Sequence, residues 1–347
     1  MNPHLFSLLP EEIARHLRDA GVPVRDDEAR RILAHSLSPT AAKDEARRPL
    51  SKSLHQKVAL HFDQRALEVV ERVEDPADGF VKYLFRSPDG ALTEAVRIPL
   101  EKPGRFTVCL SSQVGCALQC DFCATGRLGL TRNLEAWEIV SAFARVRDEA
   151  PGSVTGAVFM GQGEPFHNYE EVIRAARVLS HPCGGRIRQE SITISTVGLV
   201  PQIRRFTAEG HAFRLIVSLT SADEAKRKTL LPVAGRTPLV EVAAAIRDHA
   251  KSTRGRVTVA WVMMGGINTG ADEAEKLKAL LGDVPLIVNL IDVNDARPGG
   301  YVRATDDERR AFIDSLQILR APIVRRYSGG SARHAACGML AATRCAP

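Results

Sequence analysis

The chain has 347 residues, of which 44% are hydrophobic and 25% are charged, and it carries a net charge of +6 at pH 7. These proportions are typical of a globular protein with a packed core, so they exclude a fibrous or disordered chain. The excess of Lys and Arg suits a polyanionic partner, because clustered cations neutralise phosphates and release counterions.

The first 55 residues are predicted to be helical and to form a small accessory domain. Residues 9–21 open with a Pro near the first turn and close on Gly21, and residues 28–37 repeat the amphipathic pattern with a basic face. That basic face is interpreted as a solvated surface or as a nucleic-acid contact. The segment has no cationic stretch leading into a long apolar run, and no apolar run in the chain could cross a bilayer. We therefore expect a cytoplasmic protein.

Residues 56–103 are predicted to be a short β-rich linker. Apolar residues alternate along this stretch and are interrupted by Pro-Asp-Gly at 88–90. Alternation broken by such a sequence predicts short antiparallel strands joined by a turn.

Residues 104–347 are predicted to form the core of the protein. Seven short β-rich runs alternate there with longer helical patterns, starting with FTVCLS and ending with APIVRRY. Strand-helix alternation predicts a parallel sheet, and about six repeats indicate an α/β fold with a partial (β/α)6 barrel. A doubly wound open sheet is the alternative. In either architecture, catalytic groups gather at the carboxyl ends of the strands.

Three cysteines form a Cys-x-x-x-Cys-x-x-Cys array directly after the first of these strands. They are Cys116, Cys120 and Cys123. Three thiolates on one loop can hold three corners of a four-iron, four-sulfur cluster and leave one iron open to a small molecule. A closed zinc site would need a fourth ligand, and none is adjacent. In a reducing compartment the array indicates metal or redox chemistry rather than disulfides.

A glycine-rich turn, GQGEP, follows the second β-rich run. Glycines allow the backbone to approach a ligand closely, and the Glu164 carboxylate can accept a hydrogen bond from an ammonium group.

With these motifs in place, the chain resembles the RlmN/Cfr family of radical S-adenosylmethionine (SAM) RNA adenine methyltransferases over about residues 92–342. The segments that carry the resemblance occur in the family order: TEAVRIP, CLSSQVGCALQCDFCATG, TRNL, FMGQGEPFHNYEEV, ISTVGLVPQI, VSLTSADEAKRKTLLPV, VNLIDVN and HAACGML. The resemblance implies a [4Fe–4S] cluster on the three cysteines, with SAM chelated at the open iron.

The resemblance also implies which strand-end residues contact SAM. These are Gly163, Glu164, Ser195, Ser218, Leu219, Thr220 and Asn294. Three positions depart from the family pattern and touch the pocket walls: Thr220 stands where His is common, Gln162 where Met is usual, and Met339 in place of Gln.

The chemistry that the resemblance implies needs two further cysteines. Carbons 2 and 8 of adenine are poor nucleophiles, so one SAM methylates Cys337 and a second is cleaved to a radical that takes hydrogen from the S-methyl group. The methylene radical adds to the adenine, and attack by Cys109 to form a disulfide releases the product. Glu94 matches the position of the proton acceptor, and Cys109 is the alternative for that step. Cys183 and Cys345 match no functional position.

RNA is the expected partner, with ribosomal RNA the first substrate to test and transfer RNA the second. The target adenine must be flipped or lie in a loop. Candidate phosphate and substrate contacts are Arg15, Arg18, Arg30, Arg31, Arg47, Arg48, Lys52, Arg333 and His334. The family implies a flavodoxin-like electron donor, and we expect a monomer. The alternatives are a radical SAM enzyme acting on a peptide or small molecule, or a non-enzymatic iron-sulfur RNA-binding protein.

Overall fold

The fold was obtained as a computed structural model that describes residues 2–37, 50–76, 78–232, 236–295 and 297–326. Its amino-terminal part contains helices α1 (Pro10–Asp19), α2 (Asp26–Leu37) and α3 (Lys52–His61). Helix α1 starts at a proline, and the Glu12 carboxylate accepts a hydrogen bond from the Leu9 amide at 2.8 Å. Helix α3 crosses the predicted boundary at residue 55, and the boundaries at 55 and 103 stay predictions.

The predicted linker contains three strands, and a fourth strand at the start of the predicted core pairs antiparallel with the last of them. They are β1 (Glu68–Glu74), β2 (Val81–Arg86), β3 (Leu92–Pro99) and β4 (Arg105–Leu110), and each pairs antiparallel with the next. The turn between β2 and β3 has Gly90 at φ +86°, a left-handed conformation that favours glycine. This is the Pro-Asp-Gly turn expected from the sequence.

From β4 onward, seven strands run parallel in the order of the chain. After β4 come β7 (Ser153–Phe159), β8 (Ile192–Thr196), β9 (Arg214–Ser218), β10 (Val257–Met263), β11 (Leu286–Asp292) and β12 (Ile323–Arg326). The helices that connect them are α5 (Ala136–Asp148), α6 (Tyr169–Ser180), α7 (Val200–Ala208), α9 (Leu239–Thr253), α10 (Ala271–Leu281) and α11 (Asp306–Leu316). A doubly wound sheet requires the strand order to reverse. Among the described strands the order never reverses, so the partial barrel is confirmed and the doubly wound alternative is wrong.

Two short helices and a small second sheet complete the core. The helices are α4 (Ala124–Arg127) and α8 (Glu224–Leu230), and the sheet pairs β5 (Gln113–Gly115) with β6 (Leu130–Asn133). Within the described part of the chain, no helix is both long and apolar enough to span a membrane.

Strand register gives the large sheet two faces of different character. One face carries Val108, Leu110 and Phe159 into the main hydrophobic core, where they are buried with the helices. Each of these helices connects two neighbouring parallel strands, and such connections are right-handed. Because the strands follow one another in chain order, the helices all lie on one side of the sheet. We call the opposite side the inner face. Residues on it, by alternation and pairing, are Lys82, Glu94, Cys109, Val158, Ser195, Ser218, Ala260 and Asn289.

Candidate functional site

A cavity of about 170 Å³ lies at the carboxyl ends of β7, β8 and β9, against the cysteine loop. Most of the residues predicted from the sequence to form the cluster and SAM site line it: Cys116, Cys120, Cys123, Gly163, Glu164, Ser195, Ser218 and Thr220. Leu219 does not, because alternation along β9 turns its side chain into the main hydrophobic core. Asn294, Glu94 and Cys109 also lie outside its lining.

The cysteine loop is held by close backbone packing. The Cys116 amide donates to the Gly129 carbonyl at 2.7 Å, and the Cys123 amide donates to the Cys120 carbonyl at 3.0 Å. A Cβ on Gly115 would lie 1.9 Å from the Gly129 oxygen, so only glycine fits at that position. The loop therefore presents its thiols in a fixed local geometry.

The thiols lie in an environment that disfavours negative charge. Burial raises the pKa of the Cys116 thiol to about 12, and the charges of Cys123 and Glu164 act in the same direction. Burial also raises the pKa of Cys120, with Cys123, Cys116 and Glu164 adding to the effect. These cysteines become thiolates when a bound cation compensates the charge. The donor set thus fits an iron-sulfur group.

Among the described residues, no three His, Cys, Asp or Glu side chains converge on a point where they could hold one metal ion. A cubic cluster needs no such convergence, because each thiolate binds a different iron at a different corner.

The GQGEP turn approaches the cysteine loop through Gln113. Gly163 has φ +95°, and a Cβ there would lie 2.6 Å from the Gln113 Cβ. The Gln113 Oε1 accepts a hydrogen bond from the Glu164 amide at 2.9 Å, and its Nε2 donates to Asn133 Oδ1 at 2.7 Å. Gln113 was not predicted as a site residue, although it lies in the SSQVGC segment.

Glu164 is a buried carboxylate suited to a cationic ligand. Its oxygens accept hydrogen bonds from the Phe166 and Val197 amides, both at 2.9 Å. Burial raises its pKa to about 7 against the opposing effect of these hydrogen bonds. No basic side chain of the described residues contributes to this shift. An ammonium group in the cavity would supply the opposite charge that the carboxylate requires.

Thr220 combines backbone strain with an unsatisfied hydroxyl. This β-branched residue has φ +62°, it is 1% exposed, and its Oγ1 has no hydrogen-bond partner within the described ranges. Asn268 holds the strained carbonyl, since its Nδ2 donates to Thr220 O at 2.6 Å and to Val262 O at 2.7 Å. Asn294 Nδ2 is likewise buried without a partner there. Such orphaned polar atoms fit a polar ligand such as SAM. Asn268 was missed, because no local motif marks it.

Helix α8 places a buried cation beside the cysteine loop. Arg227 is 1% exposed, and its Nη2 donates to the Val197 carbonyl at 2.7 Å. Leu230 packs with Cys116 and Cys120 in one apolar cluster. Burial lowers the Arg227 pKa, while the negative charges of Glu224 and Cys120 act against this effect. Sequence reasoning did not single out Arg227.

Glu94 and Cys109 share the inner face on neighbouring strands. Cys109 pairs with Val96, two residues from Glu94, and both functional candidates are buried. The Lys82 Nζ lies 3.3 Å from Glu94 Oε2, and Ser111 Oγ donates to the Glu94 carbonyl at 2.6 Å. Lys82 was not predicted as a site residue.

Several predicted positions lie outside the described residues. They are Cys337, Cys345, Met339, His334, Arg333, Arg47 and Arg48.

Of the remaining basic candidates, Arg18 pairs with Asp26 at 2.6 Å and Arg31 with Asp27 at 3.5 Å. Arg15 and Arg30 line a surface cleft with His181, and Lys52 is exposed. Gln162 is buried, and its Oε1 lacks a partner among the described residues.

Comparison with known proteins first defines the class of enzyme. Residues 110–281 match the Radical SAM superfamily. A crystal structure of a radical SAM methyltransferase from Sphaerobacter thermophilus superposes with a TM-score of 0.88 and 36% identity, covering 97% of this chain and 98% of that one. This is therefore a radical SAM methyltransferase, whose cofactors are a [4Fe–4S] cluster and SAM.

Two curated relatives then define the family. A probable RNA methyltransferase from Myxococcus xanthus is 50% identical over 82% of this chain and 78% of its own length. A dual-specificity RNA methyltransferase RlmN from Syntrophobacter fumaroxidans is 38% identical over 93% of this chain and 94% of its own. The chain belongs to the RlmN-like family, which confirms the resemblance read from its motifs.

Proposed function

We propose that this protein methylates carbon 2 or carbon 8 of an adenine in RNA through a methyl group carried on Cys337. The observation that carries the proposal is the cavity lined by three cysteines of one loop, by the buried carboxylate of Glu164, and by Thr220, whose hydroxyl has no hydrogen-bond partner in the described part of the chain. The relatives' names support RNA as the substrate, with ribosomal RNA first and transfer RNA second. They argue against a peptide or small-molecule substrate and against a non-enzymatic protein.

In this proposal the described residues hold the cofactors. Cys116, Cys120 and Cys123 would hold the iron-sulfur cluster, and Glu164 would accept hydrogen bonds from the ammonium of SAM. The hydroxyls of Ser195 and Ser218, whose Oγ atoms lie 3.4 Å apart, and that of Thr220 contact the rest of the ligand. Gly163 allows the backbone to approach SAM closely. Leu219 contacts the ligand through its backbone, and Asn294 contacts it through its side-chain amide. When bound, cluster and SAM supply both a carbon-centred radical and the transferred methyl group.

The protein's own groups then complete the transfer. Glu94 accepts the proton of the adenine ring carbon. The Cys109 thiolate attacks the Cys337 sulfur and a disulfide bond forms. The bond from that sulfur to the methylene carbon breaks, its electron pair stays on that carbon, and the carbon takes up a proton from solvent to become the methyl group of the base. Cys109 is suited to a thiol role because the pairing of β4 with β3 and β7 fixes it on the inner face.

We also propose a monomer in the cytoplasm that receives electrons from a low-potential flavoprotein such as flavodoxin. The electron donor is carried over from the family.

The test uses anaerobically reconstituted enzyme with SAM, a reductant, and either a ribosomal RNA fragment or transfer RNA. Wild-type enzyme is expected to release RNA with a methylated adenine, and mass spectrometry of nucleosides distinguishes carbon 2 from carbon 8. Cys109→Ala should accumulate RNA crosslinked to the Cys337 peptide. Cys183→Ala, which changes a cysteine outside the cavity, is the matched control and should behave as wild type. Free methylated RNA from Cys109→Ala at the wild-type rate would reject the proposed role of Cys109.

A further inference from the structure

A fully buried asparagine, Asn268, supports one wall of the cavity from behind. Its Nδ2 donates hydrogen bonds to the Thr220 carbonyl at 2.6 Å and to the Val262 carbonyl at 2.7 Å. Thr220 follows β9, Val262 lies in the neighbouring strand β10, and both residues line the cavity. Asn268 is 0% exposed and is not part of the lining. Its side chain therefore connects two cavity residues without reaching the cavity itself.

The asparagine is itself held in one orientation. Its Oδ1 accepts a hydrogen bond from the Met264 amide at 2.8 Å, and its backbone carbonyl accepts one from the Trp261 indole at 3.1 Å. Both hydrogens of the side-chain amide and its oxygen thus have backbone partners, so exchanging the amide oxygen and nitrogen would break all three bonds. The Thr220 carbonyl is therefore fixed with respect to the end of β10.

The backbone conformation that these bonds hold is one that threonine rarely adopts. Thr220 has φ +62°, and a β-branched residue in the left-handed region keeps that conformation only where surrounding contacts determine it. Glu273 in the first turn of α10 supplies the second set of contacts. Its carboxyl group accepts hydrogen bonds from Ser221 Oγ at 2.8 Å and from the Ala222 amide at 2.9 Å. The turn at 220–222 is thus held by residues of one segment, 268–273.

The position of the Thr220 side chain depends on this backbone conformation. A change of φ to the negative range that threonine prefers would rotate the side chain relative to the carbonyl and break the bond to Asn268. The Thr220 hydroxyl is buried, and it has no hydrogen-bond partner in the described part of the chain. A hydroxyl that is already in place for a ligand does not have to be ordered when the ligand binds, which increases the affinity.

We propose that Asn268 is a positioning residue for SAM, because it holds Thr220 in the left-handed conformation in which the hydroxyl is in place for a hydrogen bond to the ligand. This inference rests on the proposed contact between Thr220 and SAM. Asn268 acts through Thr220, so its contribution to SAM binding should disappear when the hydroxyl is absent. An asparagine that serves stability alone would change the free energy of unfolding and leave the affinity for SAM unchanged.

The test is a double-mutant cycle on cluster-loaded enzyme, in which anaerobic equilibrium dialysis measures the Kd for SAM. Asn268→Leu keeps the approximate size of the side chain and removes its hydrogen bonds. It should weaken SAM binding about tenfold, the size expected for the loss of one hydrogen bond to the ligand. In a Thr220→Val background, where no hydroxyl remains to be positioned, the same substitution should change the Kd by no more than about twofold.

Two outcomes would overturn the inference. The first is a folded Asn268→Leu enzyme that binds SAM with the wild-type Kd. The second is an equal loss of affinity in both backgrounds, because it would mean that Asn268 acts independently of the Thr220 hydroxyl. Ile246→Ala is the control for lost stability, since Ile246 of α9 is buried in the main hydrophobic core and lies outside the cavity lining. This variant should have a lower melting temperature and the wild-type Kd.

The cycle also separates the inference from the proposed function. If wild-type enzyme binds SAM and methylates no RNA, the proposed function fails, and the Kd values still decide what Asn268 does. If Thr220→Val binds SAM as tightly as wild type, Thr220 does not contact the ligand, and the inference falls with that contact. Circular dichroism and iron content establish that each variant folds. Should Asn268→Leu not fold, Asn268→Ala removes the same side-chain hydrogen bonds and takes its place, with the same expected Kd values.

Discussion

Replacing Thr220 by Val separates the two properties of this residue, its strained backbone and its unpartnered hydroxyl. Valine is also β-branched, so the variant keeps the strain at φ +62° and removes only the hydroxyl. Thr220 is 1% exposed, and its hydroxyl has no partner among the described residues. We therefore expect the substitution to raise the stability of the ligand-free protein and to weaken the binding of SAM.

The magnitudes follow from the desolvation of the hydroxyl. A buried hydroxyl without a hydrogen bond costs about 1–3 kcal/mol, so Thr220→Val should raise the free energy of unfolding of the ligand-free protein by about 1 kcal/mol. If the hydroxyl bonds a charged part of SAM, its loss costs about 1.5–3 kcal/mol of binding, which is roughly a tenfold to hundredfold weaker Kd. The melting temperature without SAM should rise by about 1–2 °C.

The assay is thermal unfolding of cluster-loaded enzyme across a SAM titration, with Thr258→Val as the matched control. Thr258 lies on the inner face in β10, outside the cavity lining, so its substitution should leave the affinity for SAM unchanged. The reasoning is refuted if Thr220→Val loses stability without SAM and keeps the wild-type affinity. That pair of results would mean that the hydroxyl is satisfied in the free protein.

Two further predictions concern residues that line the cavity, Glu164 and Cys116. Glu164 has a folded-state pKa raised by burial to about 7 from 4.5, so the free energy of unfolding should fall as the pH rises from about 4.5 through 7, by about 3 kcal/mol. Glu164→Gln should remove this decline. Denaturation at pH 5 and pH 8 measures the fall in the free energy of unfolding for both proteins. An equal fall in the variant contradicts the prediction. Cys116→Ala should lower the iron and sulfide bound after reconstitution, whereas Cys183→Ala should keep the wild-type content. Equal iron in both variants would show that Cys116 is not a ligand.

The fold could be predicted because its signals are local. Alternation of apolar residues and the spacing of helical patterns identified the strands, and their number indicated the partial barrel. The cysteine loop was predictable for the same reason, since Cys116, Cys120 and Cys123 lie within eight consecutive residues. Both depend on residues that are close in sequence.

The supporting residues could not be predicted, because strand register and long loops create their contacts. Asn268 reaches Thr220 across 48 residues, and Gln113 reaches the Glu164 amide across 51. Nothing in the local sequence of VMMGGINTG distinguishes that asparagine from a turn residue. Leu219 illustrates the opposite case. Alternation along the strand was visible in the sequence, and applying it would have placed this side chain on the core side, away from Ser218 and Thr220.

The electrostatics of the cavity couple the loading of its cofactors. Because burial raises the pKa values of Cys116 and Cys120, these two thiols are protonated at neutral pH in the unloaded cavity. An iron-sulfur group held by these cysteines would require their thiols to lose protons, and the buried guanidinium of Arg227 would offset part of its negative charge. A fixed cation stabilises the more negative, reduced state of such a cluster. Arg227 would act in this way on a bound cluster. Its Nη2 donates a hydrogen bond to the Val197 carbonyl, and the Val197 amide donates to Glu164, so Val197 connects the guanidinium to the carboxylate.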